Sequence, residues 1–98
     1  MRGPLVTVKP GSWVTSTAGR DKGSHYLVLA VKDERWLEVV DGRRRTPANP
    51  KRKSLKHVWV HDAVAEGLAA RLREGARVTN EEIQSALAAL VREEEEVG

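Results

Sequence analysis

The sequence contains no cysteine and no phenylalanine, and its aromatic residues are three tryptophans and one tyrosine among 98 residues. Without cysteine there is no disulfide framework, no thiolate nucleophile and no cysteine-bearing zinc site, which excludes the small disulfide-rich secreted proteins. Long hydrophobic runs are also missing. The apolar run near the N-terminus spans about four residues, too few for a signal segment, and none approaches the roughly eighteen that a membrane helix requires. We therefore expect a cytoplasmic protein without membrane contact.

The composition is typical of an ordinary folded domain, but charge is distributed unevenly along the chain. The chain is 40 % hydrophobic and 32 % charged, and its length suits one compact domain with a modest core. The net charge of +3 is a sum of two unlike parts, because residues 1–62 carry +7 and residues 63–98 carry −4. The basic part is where a polyanion is expected to bind.

The basic charge is concentrated in one segment. Residues 43–57 contain seven lysines and arginines and no carboxylate. Such a density repels itself unless phosphates or other anions neutralise it, so nucleic acid is the leading partner. The alternative is a charged, solvated surface loop.

Hydrophobic patterning predicts strands first and helices second. Residues 1–62 alternate short β-branched runs with turns, which predicts five strands at residues 12–16, 25–32, 35–40, 43–46 and 56–61 and suggests a small barrel. Asp41-Gly42 is a strong hairpin signal, and the run over residues 25–32 is apolar at nearly every position, so it needs cover on both faces.

From residue 63 onward the apolar period lengthens to that of a helix. We predict helices over residues 63–74, with Asp62 as N-cap, and over residues 80–93, where Thr79 and Glu82 have capping-box spacing. Gly67 either weakens the first helix or marks a close approach to another backbone. Four glutamates at residues 93–96 predict a frayed, disordered tail. The predicted organisation is a barrel over residues 1–62 and a helical hairpin over residues 63–98 that covers Leu27 and Leu29.

The loop over residues 18–23 is glycine-bracketed and basic. Its spacing does not fit a nucleotide-binding P-loop, since the glycines are wrongly placed and a strand follows. Read as a turn between strands, it projects Arg20 and Lys22 where glycine lets the backbone approach a phosphodiester, or it is simply a solvated hairpin. Asp21 is expected to accept backbone N–H bonds that shape the turn.

This arrangement resembles the KOW motif of ribosomal proteins and transcription elongation factors. A strand, the loop AGRDKG and a strongly apolar strand occupy residues 14–40, followed by Asp41-Gly42, Arg45 and the segment PKRKSLKH. Together these resemble the small bacterial KOW-domain RNA-binding proteins, over about residues 11–61. The resemblance implies a five-stranded SH3-like barrel that binds RNA, ribosomal RNA above all. The RNA-binding residues predicted from the basic segments and this resemblance are Arg20, Lys22, Gly23, Arg43, Arg45, Lys51, Arg52, Lys53, Lys56 and His57.

The tryptophans and histidines permit weaker hypotheses. Trp36 and Trp59 alternate with apolar neighbours and are expected to face outward, where each either stacks on an unpaired base or is covered by the helices. His57 and His61 share one strand face without a third ligand, which is a weak metal signal. No combination of acid, base and nucleophile indicates an enzyme, so no catalytic residue, metal, cofactor or small-molecule substrate is predicted.

The sequence therefore predicts a non-enzymatic RNA-binding protein that associates with ribosomal RNA or the ribosome. The alternative is a protein-interaction module of the translation or transcription machinery, which would dock through the helical hairpin onto a partner such as a ribosomal protein.

Overall fold

The computed structural model describes residues 7–97. Residues 1–6, where the sequence predicted no signal segment, and Gly98 lie outside the described residues. The elements, in chain order, are β1 (Ser12–Ser16), β2 (His25–Lys32), β3 (Trp36–Val40), β4 (Lys51–Ser54), a 3₁₀ turn (Leu55–His57), β5 (Val58–Val64), α1 (Glu66–Arg73) and α2 (Asn80–Val97).

The five strands form one antiparallel sheet in the order β4-β3-β2-β1-β5. The edge strands β4 and β5 are joined only by the 3₁₀ turn. Ser54 and Val58 therefore lie at most about 14 Å apart, because four residues of chain cannot reach further. The edges of a flat five-stranded sheet are about 19 Å apart, so this sheet must curl. Within residues 7–97 no ladder joins β4 to β5, and the sheet is open rather than a closed barrel.

Each face of the sheet contributes to a separate hydrophobic cluster. The sheet core is made of strand residues alone, namely Val14, Tyr26, Val28, Leu37, Val39, Val58 and Val60. The helix core joins the other face to the helices through Trp13, Leu27, Val40, Leu68, Val78, Ile83, Leu87 and Leu90. β2 contributes to both clusters, which confirms that its apolar run is covered on both faces. Leu27 and Leu29 meet the helices as predicted.

The two helices differ in how they begin. The predicted capping box is confirmed, because Thr79 N–H donates to Glu82 Oε1 at 2.8 Å and Glu82 N–H donates to Thr79 Oγ1 at 3.1 Å. The predicted start of α1 was wrong. Asp62 lies inside β5, and α1 begins after Ala65 without a side-chain cap. Pairing with β1 extends β5 to Val64, and this long-range ladder outweighs the local capping preference of Asp62.

The helix after the capping box is longer than predicted. α2 continues through residues 93–96 to Val97, beyond the expected end at residue 93. Among the described residues, no helix combines the length and apolar character needed to cross a membrane.

The basic segment also folds differently from its prediction. The predicted strand at residues 43–46 is absent, since residues 42–45 form bends and Thr46 makes one isolated bridge to Asn49. The fourth strand lies instead at Lys51–Ser54, within the run expected to be a basic loop, and the last strand starts at Val58 rather than residue 56. Asp41-Gly42 opens a connection of ten residues between β3 and β4 rather than a two-residue hairpin.

Candidate functional site

The loop between β1 and β2, residues 17–24, is a turn held by its own backbone. Gly19 and Gly23 have φ of +88° and +93°, in the left-handed region that favours glycine. Gly23 N–H donates to the Ser16 carbonyl at 2.8 Å, and Lys22 N–H donates to the Gly19 carbonyl at 3.2 Å. The side chains of Arg20 and Lys22 are exposed. The positive φ at Gly23 is the conformation that a turn of this kind requires.

Asp21 ties this loop to the sheet. Its carboxylate accepts hydrogen bonds from Ser16 Oγ at 2.9 Å, Tyr26 Oη at 2.7 Å and Lys53 Nζ at 2.9 Å. The expected backbone donors are replaced by three side chains, because the loop folds back over the ends of β1, β2 and β4. Burial raises the pKa of Asp21, but the bonds from Lys53, Tyr26 and Ser16 outweigh it and hold the pKa well below the ordinary value.

Lys53 differs from the other predicted RNA-binding cations because it is only 7 % exposed. Its ammonium donates to Asp21 and also to the Ala18 carbonyl at 2.9 Å. Lys51 lies further from the same carboxylate, at 3.8 Å, and keeps more of its side chain in solvent. The charge of Lys53 is therefore used to hold the loop, and it is not free to face a ligand.

The loop between β3 and β4, residues 41–50, is shaped by Asp41. Its Oδ1 accepts the N–H groups of Arg43 and Arg45, each at 2.9 Å. The N–H groups of Asp41 and Gly42 donate in turn to the Arg45 carbonyl. This is the local side-chain-to-backbone bonding that lets aspartate compete with a strand ladder. It explains why residues 43–46 bend rather than extend.

The two loops lie side by side and enclose a cleft of about 450 Å³. The residues that line it are Arg20, Asp21, Ser24, Tyr26, Asp41, Arg44, Arg45 and Lys51. Four of these are cations and two are carboxylates. Both carboxylates already accept hydrogen bonds from the protein, and the cationic side chains outnumber them. The cleft therefore presents a net positive charge at a concave surface.

The predicted site residues divide between this cleft and the surfaces beside it. Arg20, Arg45 and Lys51 line the cleft, whereas Lys22, Gly23 and Arg43 are exposed elsewhere on the two loops. Lys56 and His57 are exposed on the 3₁₀ turn.

One predicted residue, Arg52, is partly engaged, and one lining residue was missed. The Arg52 guanidinium lies 4.4 Å from the centre of the Trp36 ring, a cation–π contact that covers that indole. The prediction omitted Arg44, because a strand at residues 43–46 would have turned it away from Arg43 and Arg45. The run of three arginines was the available signal.

The three tryptophans have three different environments. Trp13 is buried in the helix core, Trp36 is half-buried under Arg52, and Trp59 is 46 % exposed. The outward orientation predicted for Trp59 is confirmed.

The histidines of the sheet pack beside Trp13. His61 stacks on Trp13 with ring centres 3.6 Å apart, and Thr15 Oγ1 lies within hydrogen-bond distance of ring nitrogens of both His61 and His25. Because an indole N–H only donates, the 3.2 Å bond from Trp13 Nε1 makes His25 Nδ1 an acceptor. Within the part of the chain that the structure describes, no group of three or more metal-ligating side chains is assembled.

Comparison with known proteins finds no family model and no curated protein that matches this chain.

Proposed function

We propose that this protein binds RNA through the cleft between its two basic loops, without catalysing a reaction. One observation carries the proposal: Arg20 in one loop and Arg44, Arg45 and Lys51 in a distant part of the sequence line a single concave surface. Arginine donates paired hydrogen bonds to phosphate oxygens, and a concave, positively charged surface suits a curved phosphodiester backbone.

The mechanism that fits these residues is capture by charge and shape. Arg20, Arg44 and Arg45 lie on two loops that are fixed by Asp21 and Asp41, and Lys51 begins β4, so the backbone positions of all four cations are set before a ligand arrives. Contacts to phosphates carry little information about base sequence. The surface should therefore recognise the shape of an RNA rather than its sequence.

Two features of the fold support the resemblance to KOW proteins: the curl of the sheet and the loop at residues 17–24. We propose that the curled five-stranded sheet is an SH3-like barrel of the KOW type and that the bound RNA is ribosomal, in the cytoplasm. Ribosomal RNA follows only from the resemblance, whereas phosphate binding follows from the cleft.

The first test is the salt dependence of RNA affinity. If about four cations displace counterions from structured RNA, log affinity should fall against log salt concentration with a slope of about −3 to −4. Fluorescence anisotropy with a labelled RNA hairpin measures this slope. An affinity that does not change with salt would exclude phosphate capture.

The sharper test is the double variant Arg20→Glu, Arg44→Glu. Losing two phosphate contacts should reduce the slope by about 2 and weaken binding by about 25- to 60-fold near 0.1 M salt. The matched control is Lys32→Glu, Arg35→Glu, which changes the net charge equally on two exposed side chains at the opposite end of the β2–β3 hairpin. Equal losses in the two double variants would mean that only net charge matters and that the cleft is not the site.

One observation favours the alternative of a protein-interaction module. A groove of about 710 Å³ runs between α1 and α2 and is lined mainly by apolar groups such as Leu68, Ala86 and Leu90. A partner docked there would bind with little salt dependence. The affinity for a ribosomal-protein partner, measured at several salt concentrations, therefore separates this function from RNA binding.

A further inference from the structure

We propose that Trp59 is a second binding subsite, which stacks an unpaired nucleobase of the RNA held by the basic loops. This inference rests on the proposed function and specifies which part of the RNA is recognised. It starts from an unusual exposure. Trp59 is the exposed large hydrophobic side chain among the described residues, on a chain that buries or covers its other two tryptophans.

One face of the Trp59 ring is turned towards the ring of His61. It lies nearly parallel to His61, with an interplanar angle of 16° and ring centres 6.0 Å apart. His61 in turn stacks on the buried Trp13 at an interplanar angle of 9°, and Thr15 bonds its Nε2 at 2.7 Å. A ring held in this way loses little conformational freedom when a base stacks on its open face.

An exposed cation, Lys56, lies three residues before Trp59 in the chain. His57 is also exposed on the same 3₁₀ turn, and its carbonyl accepts the Thr17 N–H at 2.9 Å. Thr17 begins the loop that carries Arg20 into the cleft. One loop therefore connects the phosphate-binding cleft to the surface next to Trp59.

Carboxylates lie near the two histidines that pack beside Trp13. Glu94 and Glu95, near the end of α2, act on these histidines: Glu94 raises the pKa of His61 and Glu95 that of His25, each against the larger lowering effect of burial. Asp62 follows His61 in β5. These carboxylates repel a phosphate backbone, whereas Lys56 attracts it. A base attached to that backbone then points across Trp59.

A second copy of the chain fits this surface less well than a base. A stable dimer buries about 1,200 Å² or more of total surface, and one exposed indole offers a much smaller apolar area. A nucleobase needs only the face of one ring.

The test compares two short RNA probes of about 12 nucleotides, an ordinary unpaired one and an abasic one with the same phosphates. The variants of the full chain are Trp59→Ala, Trp59→Leu and Trp59→Phe. We expect the Ala and Leu variants to bind the unpaired probe about 5- to 150-fold more weakly, while Phe retains most of the affinity. Binding of the abasic probe should not change in any variant.

Each other outcome overturns the subsite. Unchanged binding of the unpaired probe shows that no base stacks on Trp59, and equal losses with both probes show a general defect. Full binding by the Leu variant indicates apolar contact without stacking. A wild-type dimer that Trp59→Ala dissociates, measured by sedimentation, makes this surface an interface between copies. In all of these cases salt-dependent binding of the abasic probe would still support the cleft, whereas its absence overturns both proposals.

Discussion

Asp21 joins three strands through one side chain. Its carboxylate accepts bonds from Ser16 at the end of β1, Tyr26 in β2 and Lys53 in β4. Because both oxygens are occupied and the group is charged, these bonds are stronger than neutral ones. The position of the loop at residues 17–24, and with it Arg20, therefore depends on this residue.

Removing the buried lysine should cost more than removing its exposed neighbour. We expect Lys53→Ala to lower the free energy of unfolding by about 1 to 3 kcal/mol, since Asp21 and the Ala18 carbonyl both lose a donor. Lys51→Ala should cost less than about 1 kcal/mol, because its 3.8 Å contact is partly solvated. Urea denaturation measures both values. Equal effects would show that Lys53 is an ordinary surface cation.

Residue type alone did not reveal this difference. The sequence grouped Lys53 with six other cations in the segment 43–57, and every one of them has the same local context of basic neighbours. β4 sets the role of Lys53, because pairing with β3 places Lys53 opposite the buried Leu37. The only signal in the sequence was the two-residue period of a strand over residues 51–54. The prolines just before it favoured a loop and concealed this period.

Among the elements, two glycines set how closely the helices approach the sheet. A Cβ at Gly42 would lie 2.5 Å from the Asn80 carbonyl oxygen, and one at Gly11 would lie 2.6 Å from Ala69 Cβ. Gln84 Nε2 also donates to the Gly42 carbonyl at 2.6 Å. Gly67 inside α1, which the sequence offered as a possible point of close approach, has no such neighbour within 4 Å.

Substituting Gly42 and Gly23 by alanine should separate backbone strain from close packing. Both have positive φ, but Gly23 has open space around it. We expect Gly23→Ala to cost about 1 to 2 kcal/mol from the left-handed backbone alone. Gly42→Ala should cost about 2 to 4 kcal/mol, because the start of α2 must also move. Chemical denaturation of both variants measures the two free energies of unfolding. Similar losses would mean that α2 shifts to accommodate the new methyl group without loss of stability.

The two helix-capping signals show how a distant partner can override a local one. The capping box at Thr79 and Glu82 marked the start of α2 correctly, since both residues act within one turn. Asp62 carried a similar signal and failed, because β5 continues through it to Val64, which pairs with Ser12 beyond a shift in register. Strand pairing between residues 12 and 64 cannot be seen in a short window of sequence.

For the molecule as a whole, four titratable side chains with shifted pKa values predict a stability that depends on pH. Burial lowers the pKa of His25 and His61 from the ordinary value of 6.5. Asp21 has a lowered pKa against an ordinary 3.8, and burial together with the bond to Asp21 raises the pKa of Tyr26 above 10.0. Below about pH 6.5 the unfolded chain binds protons on these histidines that the folded protein does not, so stability falls.

The expected profile is a plateau between about pH 6.5 and 10. Stability should decline below it as the histidines titrate in the unfolded chain, decline again below about pH 3.8 through Asp21, and decline above about pH 10 as Tyr26 ionises in the unfolded chain. The free energy of unfolding, measured by urea titration at several pH values, tests this. His61→Gln should flatten the decline between pH 7 and pH 5 relative to His57→Gln, because His61 is half-buried and His57 is exposed. The same slope in both variants would contradict the role of burial.

The sequence by itself determined the order of the elements, the two-sided cover of β2, the division between a basic and an acidic part and the presence of a basic loop at residues 17–24. These features depend on composition and on periods of two or 3.6 residues, which neighbouring positions carry. Tertiary structure alone decided which cations share a cleft, that Lys53 is buried and that Trp59 stays exposed. Each of these depends on contacts between residues tens of positions apart, whose geometry exists only after the sheet has curled and the helices have packed.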